Sequence, residues 1–586
     1  MQKANEATPL YEFAGRRVDV ARRELTRAGK AVPMFPRCFD ALLLLIERRG
    51  ELLEKDFLLE ALWPNVIVDE NSLAKVISEV RRALGEGPKD QGCIVTVPRR
   101  GYRFNANVVE LQNQTASPAR ATAEIRSLAV LPFGFLNPAP DDDMLRIGLA
   151  DALITRLGQL RKTLVRPTSS IARFSEIASP AAAGRELGVD AVIAGSVRRA
   201  GTMLRVSVQL VSVADEAVSW AERFDIESAA ALELEDSIAA RVATALTLAL
   251  ARGETPPAPR RYTANADAYE HYIRGRYLIT KRTRDALLEA VARLERAIAI
   301  DPQFALAHAG LSEAWIQLGL RAAVSQSLRP REAMPKARAA AERALALDES
   351  LSEAHGTLGQ VLFTYEWKRE EGLREIRRAI ELNPNNQNAQ HWYAMQLGGL
   401  GRFDEALEQI QRALTVDPLA VMVNANVGFL LYRAGRFDEA IAKLRHTVEM
   451  EPGFVMTRYR LGLALEAKGL HEDAIREFEA MRPSADNPLA LTAIARTRAL
   501  MGDQDRSRRM LDEILSIARN TYVPAATIAD VYVGLGDHER ALEWLAVGVD
   551  ERAIVSMWMH SERHWDPLRS HPKFAELIRR VGIEPP

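Results

Sequence analysis

A chain of 586 residues is too long for a single hydrophobic core, so three or four domains are expected. Its 47% hydrophobic and 26% charged residues fit folded globular protein, and a net charge of -1 excludes a generally basic nucleic-acid coat. Two cysteines, Cys38 and Cys93, exclude a disulfide framework and a cysteine zinc site, and point to a reducing compartment.

The first residues, MQKANEATPLYEF, lack the apolar core of a signal peptide. No window reaches the roughly 18 apolar residues a membrane span needs. The longest candidate, Ala239 to Ala251, is broken by Arg241 and Thr244 and reads as an ordinary helix. A cytoplasmic protein with no membrane contact is expected.

Residues 11 to 35 contain short β-like pieces separated by turn signals at Gly15 and Ala28-Gly29-Lys30. Pro36 opens a helical pattern whose apolar stripe is Phe39, Leu42, Leu43, Leu45 and Ile46, ending before Gly50. A second short helix is expected from about Glu54 to Trp63, stopped by Pro64. After a loop to Asp69, Leu73, Val76, Ile77, Val80 and Leu84 form one stripe of a third helix. Asn71, Lys75, Ser78, Glu79 and Arg82 lie on the opposite stripe, with Arg81 beside it. A two-stranded ribbon follows, its tip carrying Pro98, Arg99, Arg100 and Gly101. Lys75, Arg81, Arg82, Lys89, Arg99, Arg100 and Arg103 oppose only Glu79, Glu86 and Asp90, a local basic excess. A solvated helix face is the plain reading of a lone charged stripe. The arginine-tipped ribbon beside it favours DNA.

Phe39-Asp40-Ala41-Leu42-Leu43, FLLEALWP (Phe57 to Pro64), Asn71-Ser72-Leu73, Arg81-Arg82-Ala83-Leu84-Gly85 and TVPRRGYRF (Thr96 to Phe104) carry a family resemblance. Residues 9 to 106 resemble the OmpR/PhoB-type winged-helix DNA-binding domain found in CadC- and ToxR-like regulators. The resemblance implies that the third helix enters the major groove and the wing reaches backbone or minor groove. By position, Lys75, Ser78 and Glu79 would face base edges, while Ser72, Arg81, Arg82, Arg99 and Arg100 would hold phosphates. Lysine can donate to guanine edges and glutamate can accept from cytosine N4, whereas phosphate contacts add affinity without sequence information. Glu79 departs from the basic residue common there in the family. No receiver domain with a phosphoacceptor aspartate is expected before the winged helix, so control is expected from the C-terminal side.

Residues 109 to 124 read as a flexible tether, polar and interrupted by Pro118, where CadC-like regulators place a membrane helix. Residues 125 to 252 read as an α/β module with a trailing helix. Its expected strands include SLAVLPF (Ser127 to Phe133), Leu164-Val165, AVIAGS (Ala191 to Ser196), LRVSVQLVSV (Leu204 to Val213) and Ala217 to Phe224. Its expected helices run from Met144 to Leu160 and from Ala181 to Leu187, with Gly201-Thr202 as a hairpin turn. SLAVLPF, Arg185-Glu186-Leu187-Gly188-Val189, AGSVRRAG (Ala194 to Gly201) and SWAERF (Ser219 to Phe224) resemble the TolB N-terminal-like module, which implies a fold without defined chemistry. Asp141-Asp142-Asp143 is read as a helix cap rather than a metal or base cluster, because consecutive carboxylates diverge and a helix follows.

After a linker at residues 253 to 262, residues 263 to 586 repeat. Gly401-Arg402-Phe403-Asp404-Glu405-Ala406 returns at Gly435 and, more loosely, at Gly469, in steps of 34 residues. Asp301-Pro302, Asn383-Pro384, Asp417-Pro418, Glu451-Pro452 and Asn487-Pro488 interleave with it. That period, with small residues at helix crossings and proline at closing turns, is the tetratricopeptide signature. About eight helix pairs are expected, with Ser325 to Pro335 as an inserted loop. The concave groove of such an array suits a protein or peptide ligand, and Asn388, His391, Asn424, Asn426, Arg458 and Arg460 are candidate groove residues on first helices.

The fold class expected is thus multidomain α+β: an N-terminal winged helix, a central α/β module and a C-terminal all-α superhelix. No HExxH, G-x-S-x-G or phosphate-cradling glycine loop occurs, so no enzyme, cofactor or metal is expected. The function expected is a sequence-specific transcriptional regulator binding double-stranded DNA, as a homodimer or in tandem, with the Trp63 to Asn71 loop touching RNA polymerase. The alternative is a scaffold that assembles partners on the array with weak or vestigial DNA binding.

Overall fold

The computed structural model describes residues 10 to 583, apart from 20–23, 63–69, 87–91, 112–124, 137–141, 175–178, 228–262, 321–327, 483–486 and a few single or paired positions, Arg99 among them. The chain divides into two compact units, Met1–Ala123 and Glu124–Pro586.

In the first unit, β1 (Leu10–Phe13), β2 (Arg16–Asp19), β3 (Glu24–Arg27) and β4 (Lys30–Val32) form an antiparallel meander. Its far edge is completed by β8 (Val109–Leu111) beside β1, so residues 109–111, expected within the tether, belong to this sheet. The helices are α1 (Pro36–Glu47), α2 (Lys55–Leu62) and α3 (Glu70–Leu84). The expected start of the second helix at Glu54 is corrected: Leu52–Glu54 is a strand, β5, pairing with β7 (Gly101–Phe104), which pairs with β6 (Ile94–Val97). Pairing draws Glu54 out of the helix because β7 supplies hydrogen bonds that a short helix end would lack. The apolar stripes of α1 and α3 meet with Phe13 and Phe104 in one core, the two rings edge-on at 5.1 Å.

In the second unit, β9 (Ser127–Val130), β11 (Leu164–Val165), β12 (Ala191–Ala200), β13 (Met203–Ser212) and β14 (Val218–Glu227) build a mixed sheet in the order β11-β9-β12-β13-β14. The short strand β10 (Gly134–Leu136), not expected from sequence, extends the β12 edge beyond β9. Ala200 pairs with Met203, which leaves two residues for the hairpin connection, themselves outside the described residues. Helix α4 spans Asp142–Leu157, so it ends before Leu160, and α6 spans Pro180–Leu187 with a short turn of helix, α5 (Thr168–Ile171), between them. Asp142 and Asp143 sit in the first turn of α4; Asp141 and the trailing helix lie outside the described residues.

Beyond this module, the described residues form eight consecutive helix pairs, from Ala266–Lys281 and Arg284–Ile300 to Ala525–Gly534 and His538–Asp550, followed by two short turns of 3-10 helix (Ile554–Trp558 and Arg563–Leu568) and a last helix, Pro572–Arg580. Small residues at the crossings are required sterically: a Cβ on Gly428 would come within 2.4 Å of Leu444, and one on Gly462 within 2.2 Å of Phe478. The expected loop from Ser325 to Pro335 is corrected. Helix Pro330–Leu347 begins inside it, with Pro330 at the tolerated first position and an alanine-rich run driving the turns beyond Pro335.

Two features of this unit are invisible in the repeat pattern. The array bends back on itself: Arg552 donates to the Tyr365 carbonyl at 2.7 Å and Arg369 to the Val581 carbonyl at 2.9 Å, joining the last helices to the third pair. The α/β module is also bolted to the array. Asn385 Nδ2 lies within 3.1 Å of the Gly158, Leu160 and Thr163 carbonyls, and its Oδ1 accepts from the Val165 amide at 3.1 Å. Arg166 donates to the Thr415 and Val416 carbonyls at 2.6 and 2.8 Å.

Asn385→Ala removes the partner of these backbone groups in a half-buried joint. It should lower the free energy of separating module from array by about 2–4 kcal/mol. Hydrogen exchange of residues 158–165 should accelerate accordingly, while the helices from Ala525 onward keep wild-type protection.

Candidate nucleic-acid interface and array cavity

Within the first unit, α3 buries Leu73, Ile77, Val80 and Leu84 and turns Lys75, Ser78 and Arg82 outward. Ser72, Glu79 and Arg81 are half-buried at the margins of that face. Arg81 Nη2 donates to the Ile94 carbonyl at 3.0 Å and to Thr96 Oγ1 at 2.7 Å, which ties the helix to β6. Glu79 pairs with Arg82 one turn away at 2.9 Å, both carboxylate and guanidinium remaining accessible to water. An exposed pair of this kind is weak, so Arg82 can exchange Glu79 for a stronger anion.

The ribbon base is fixed by close packing. A Cβ on Gly101 would stand 1.9 Å from the Leu53 carbonyl oxygen, so only glycine lets β7 lie this close to β5. Arg100, at the tip, is exposed; Arg99 and residues 63–69 of the loop before α3 lie outside the described residues. Both cysteines are buried and unpaired. Burial, then a hydrogen bond and charge from Glu86, push the Cys93 thiol up to about 12, which leaves it unreactive.

Among the candidate groove residues, the structure brings Asn388, His391, Asn426 and Arg460 together on a cavity of about 840 Å³ inside the array. Asn424 and Arg458 do not line it. Asn424 donates to the Pro418 carbonyl and accepts from Lys443, and Arg458 pairs with Glu477 at 2.8 Å, so each ties together the two helices of its own pair. Arg433, Gln396, Trp558 and Glu562 also line the cavity, none of them anticipated. The signal available in sequence was Arg433 itself, a charge closing the apolar run from Val427 to Tyr432.

Arg433 pairs with Glu562 at 2.5 Å and lies 4.7 Å from the Phe429 ring centroid; Arg460 lies 4.9 Å from the same ring. Asn426 contacts His391 side chain to side chain. Burial, then the charges of Arg282 and Arg460, push the His391 imidazole down to about 3, so it is neutral at pH 7. Among the described residues no group of side chains could hold a metal ion.

An imidazole that ionises at 6.5 when unfolded and about 3 when folded makes the unfolded state bind the extra proton between those values. Stability is therefore lost as pH falls from 6.5 towards 3. His391→Gln should flatten the fall in urea midpoint over that window by about one proton's worth of slope, relative to wild type.

Residues 29–104 match the model "Transcriptional regulatory protein, C terminal", residues 124–241 the model "HilA/YgeH-like transcriptional regulator, second domain", and residues 394–445 and 428–488 the tetratricopeptide repeat model. The family matched by the middle module is thus HilA/YgeH-like, where its sequence resembled TolB N-terminal-like modules. A Putative adenylate cyclase 3 of Rhizobium meliloti is 31% identical over 35% of this chain and 35% of its own length. The Transcriptional regulator HilA of Salmonella typhimurium is 26% identical over 50% of this chain and 51% of its own. The Transcriptional activator CadC of Escherichia coli is 32% identical over 15% of this chain and 17% of its own. The chain thus spans about half or less of the length of these relatives. No helix among the described residues is long and apolar enough to cross a membrane. The chain joins an OmpR/PhoB-type winged-helix domain, a HilA/YgeH-like regulator domain and tetratricopeptide repeats.

Proposed function

We propose that the chain is a sequence-specific DNA-binding transcriptional regulator of the cytoplasm, not an enzyme, controlled through its repeat array. Helix α3 enters the major groove, and the β6–β7 wing reaches backbone or minor groove. The observation that carries this reading is the outward face of α3, with Lys75, Ser78 and Arg82 exposed and Arg81 fixing the wing beside it. Lys75 and Ser78 are the base readers in this reading; Ser72, Arg82, Arg99 and Arg100 hold phosphates. Glu79 has two uses, accepting from a cytosine N4 or holding Arg82 until a phosphate replaces it. Arg81 acts by positioning the wing.

The relative named a transcriptional regulator over half of this chain supports the reading, as does the match of residues 29–104. Binding as a dimer or in tandem on repeated half-sites, contact of the 63–71 loop with RNA polymerase, and a protein or peptide reaching the array all belong to it.

Selection of genomic fragments by the purified full chain should enrich one sequence; enrichment of none sinks the reading. On the selected site, Lys75→Ala should cost about 1–3 kcal/mol at one base position and nothing elsewhere, read by mobility shift on single-base variants. Double substitution of Arg99 and Arg100 by alanine should weaken binding to all sequences alike and flatten the salt slope by roughly one to two units.

A further inference from the structure

The cavity inside the array has the size range of small-molecule sites. Its wall is apolar and aromatic, with Trp392, Met395, Met456, Tyr459 and Leu463 among its residues. The chain's own closing segment occupies one side: Met557, Trp558, Glu562 and Trp565 line the cavity, and Trp558 packs edge-on against Phe429 at 5.1 Å. An extended peptide running along the superhelix would have to displace this segment, whereas a compact ligand would not.

Several buried polar atoms of the lining residues are left without partners. Arg433 and Arg460 are each more than nine-tenths buried, yet Arg433 Nε and Nη1 and Arg460 Nη1 have no hydrogen-bond acceptor. Asn426 Oδ1 and Gln396 Oε1, equally buried, have no donor. The carboxylates that line the same cavity are committed elsewhere or lie at its edge. Glu562 holds Arg433 and Tyr432, Asp530 holds Trp565 and Arg496, Asp417 accepts from Ser169, and Glu451 is exposed. Arg460 therefore carries a buried charge with no carboxylate beside it among the described residues. The Phe429 ring meets one face of that guanidinium, and an anion would offset the rest of its desolvation.

We propose that this cavity binds a small aromatic carboxylate bearing a hydroxyl donor, its carboxylate on the Arg460 and Arg433 side chains that line it, its hydroxyl towards Gln396 or Asn426. The charge-assisted bonds to Arg460 supply affinity and select an anion, and the aromatic wall takes the ring. The cavity also touches the joint with the α/β module through Ser169 and Asp417, hydrogen-bonded at 2.9 Å. Occupancy is thus placed to change how firmly the module is held. That consequence rests on the regulator reading; the binding itself does not.

The test uses the full chain and three probes that share one hydroxyphenylethyl scaffold: 3-(4-hydroxyphenyl)propionate, its isosteric primary amide, and tyramine. The acid should raise the melting temperature in a saturable, concentration-dependent manner, and the amide and amine should not. Arg460→Met should weaken the acid's apparent affinity roughly tenfold or more. Should that variant not fold, Met395→Trp, which keeps the charge and fills the space, should abolish the shift. Equal shifts from all three probes, no shift from the acid, or an acid shift that survives in the folded variant would overturn the proposal. DNA binding by the same preparation is measured separately. Its loss with the acid shift intact counts against the regulator reading alone, and its retention without the shift counts against the cavity alone.

Discussion

The ion pair between Arg433 and Glu562 is 2.5 Å long and nearly fully buried on both sides, and the form of the array depends on it. Burial alone would raise the Glu562 carboxyl, but Arg433, His564 and Arg496 outweigh burial and hold it below the ordinary carboxylate range. The pair pins the turn-like segment from Ile554 to Leu568 onto the inner face of the superhelix. Trp565 reinforces it by donating to Asp530 at 2.7 Å, and Arg496 bonds Glu466 at 3.1 Å within the same buried cluster. A buried pair gives little net stability compared with an apolar pair, yet removing one partner strands the other. Its contribution is to fix one arrangement, in which a groove open in principle becomes a chamber.

A second chain of polar contacts leads from that chamber to the α/β module. Asn388 donates to Glu313 at 3.3 Å, Arg276 bridges Glu313 and Asp151 at 2.6 and 3.2 Å, and Thr168 donates to Asp151. Every member has an assigned partner, so the network fixes one arrangement. Module and array form one assembly because the module's loop carbonyls find their donors on the array, through Asn385, rather than in water.

The winged-helix unit solves a simpler problem. Four apolar residues on α3 are consumed by the core, and Arg81 is consumed by the wing, so the outward face is narrow. Glu79 lowers the charge of that face by pairing with Arg82. In the proposed reading, a face only modestly basic would rely on base contacts rather than bulk attraction for selectivity.

Periodicity determined much of this protein. The stripe of α3, the alternation of Val206, Val208 and Leu210 in β13, and the glycines of the 34-residue repeat are each local consequences of one face meeting a core. The third helix, most strands of the middle module and the number of helix pairs could be read from them, whereas the winged helix came from a family resemblance. Short strands such as β5 and β10 could not, because three residues carry no period and exist only where a partner strand supplies hydrogen bonds. The division of the candidate array residues was likewise beyond the sequence. Asn424 and Asn426 both lie on the first helix of one pair, yet one ties that helix to its partner helix and the other faces the cavity. That choice is made by superhelical curvature and by the returning segment around Glu562, which lie more than 100 residues away in the chain, and only tertiary packing brings them together.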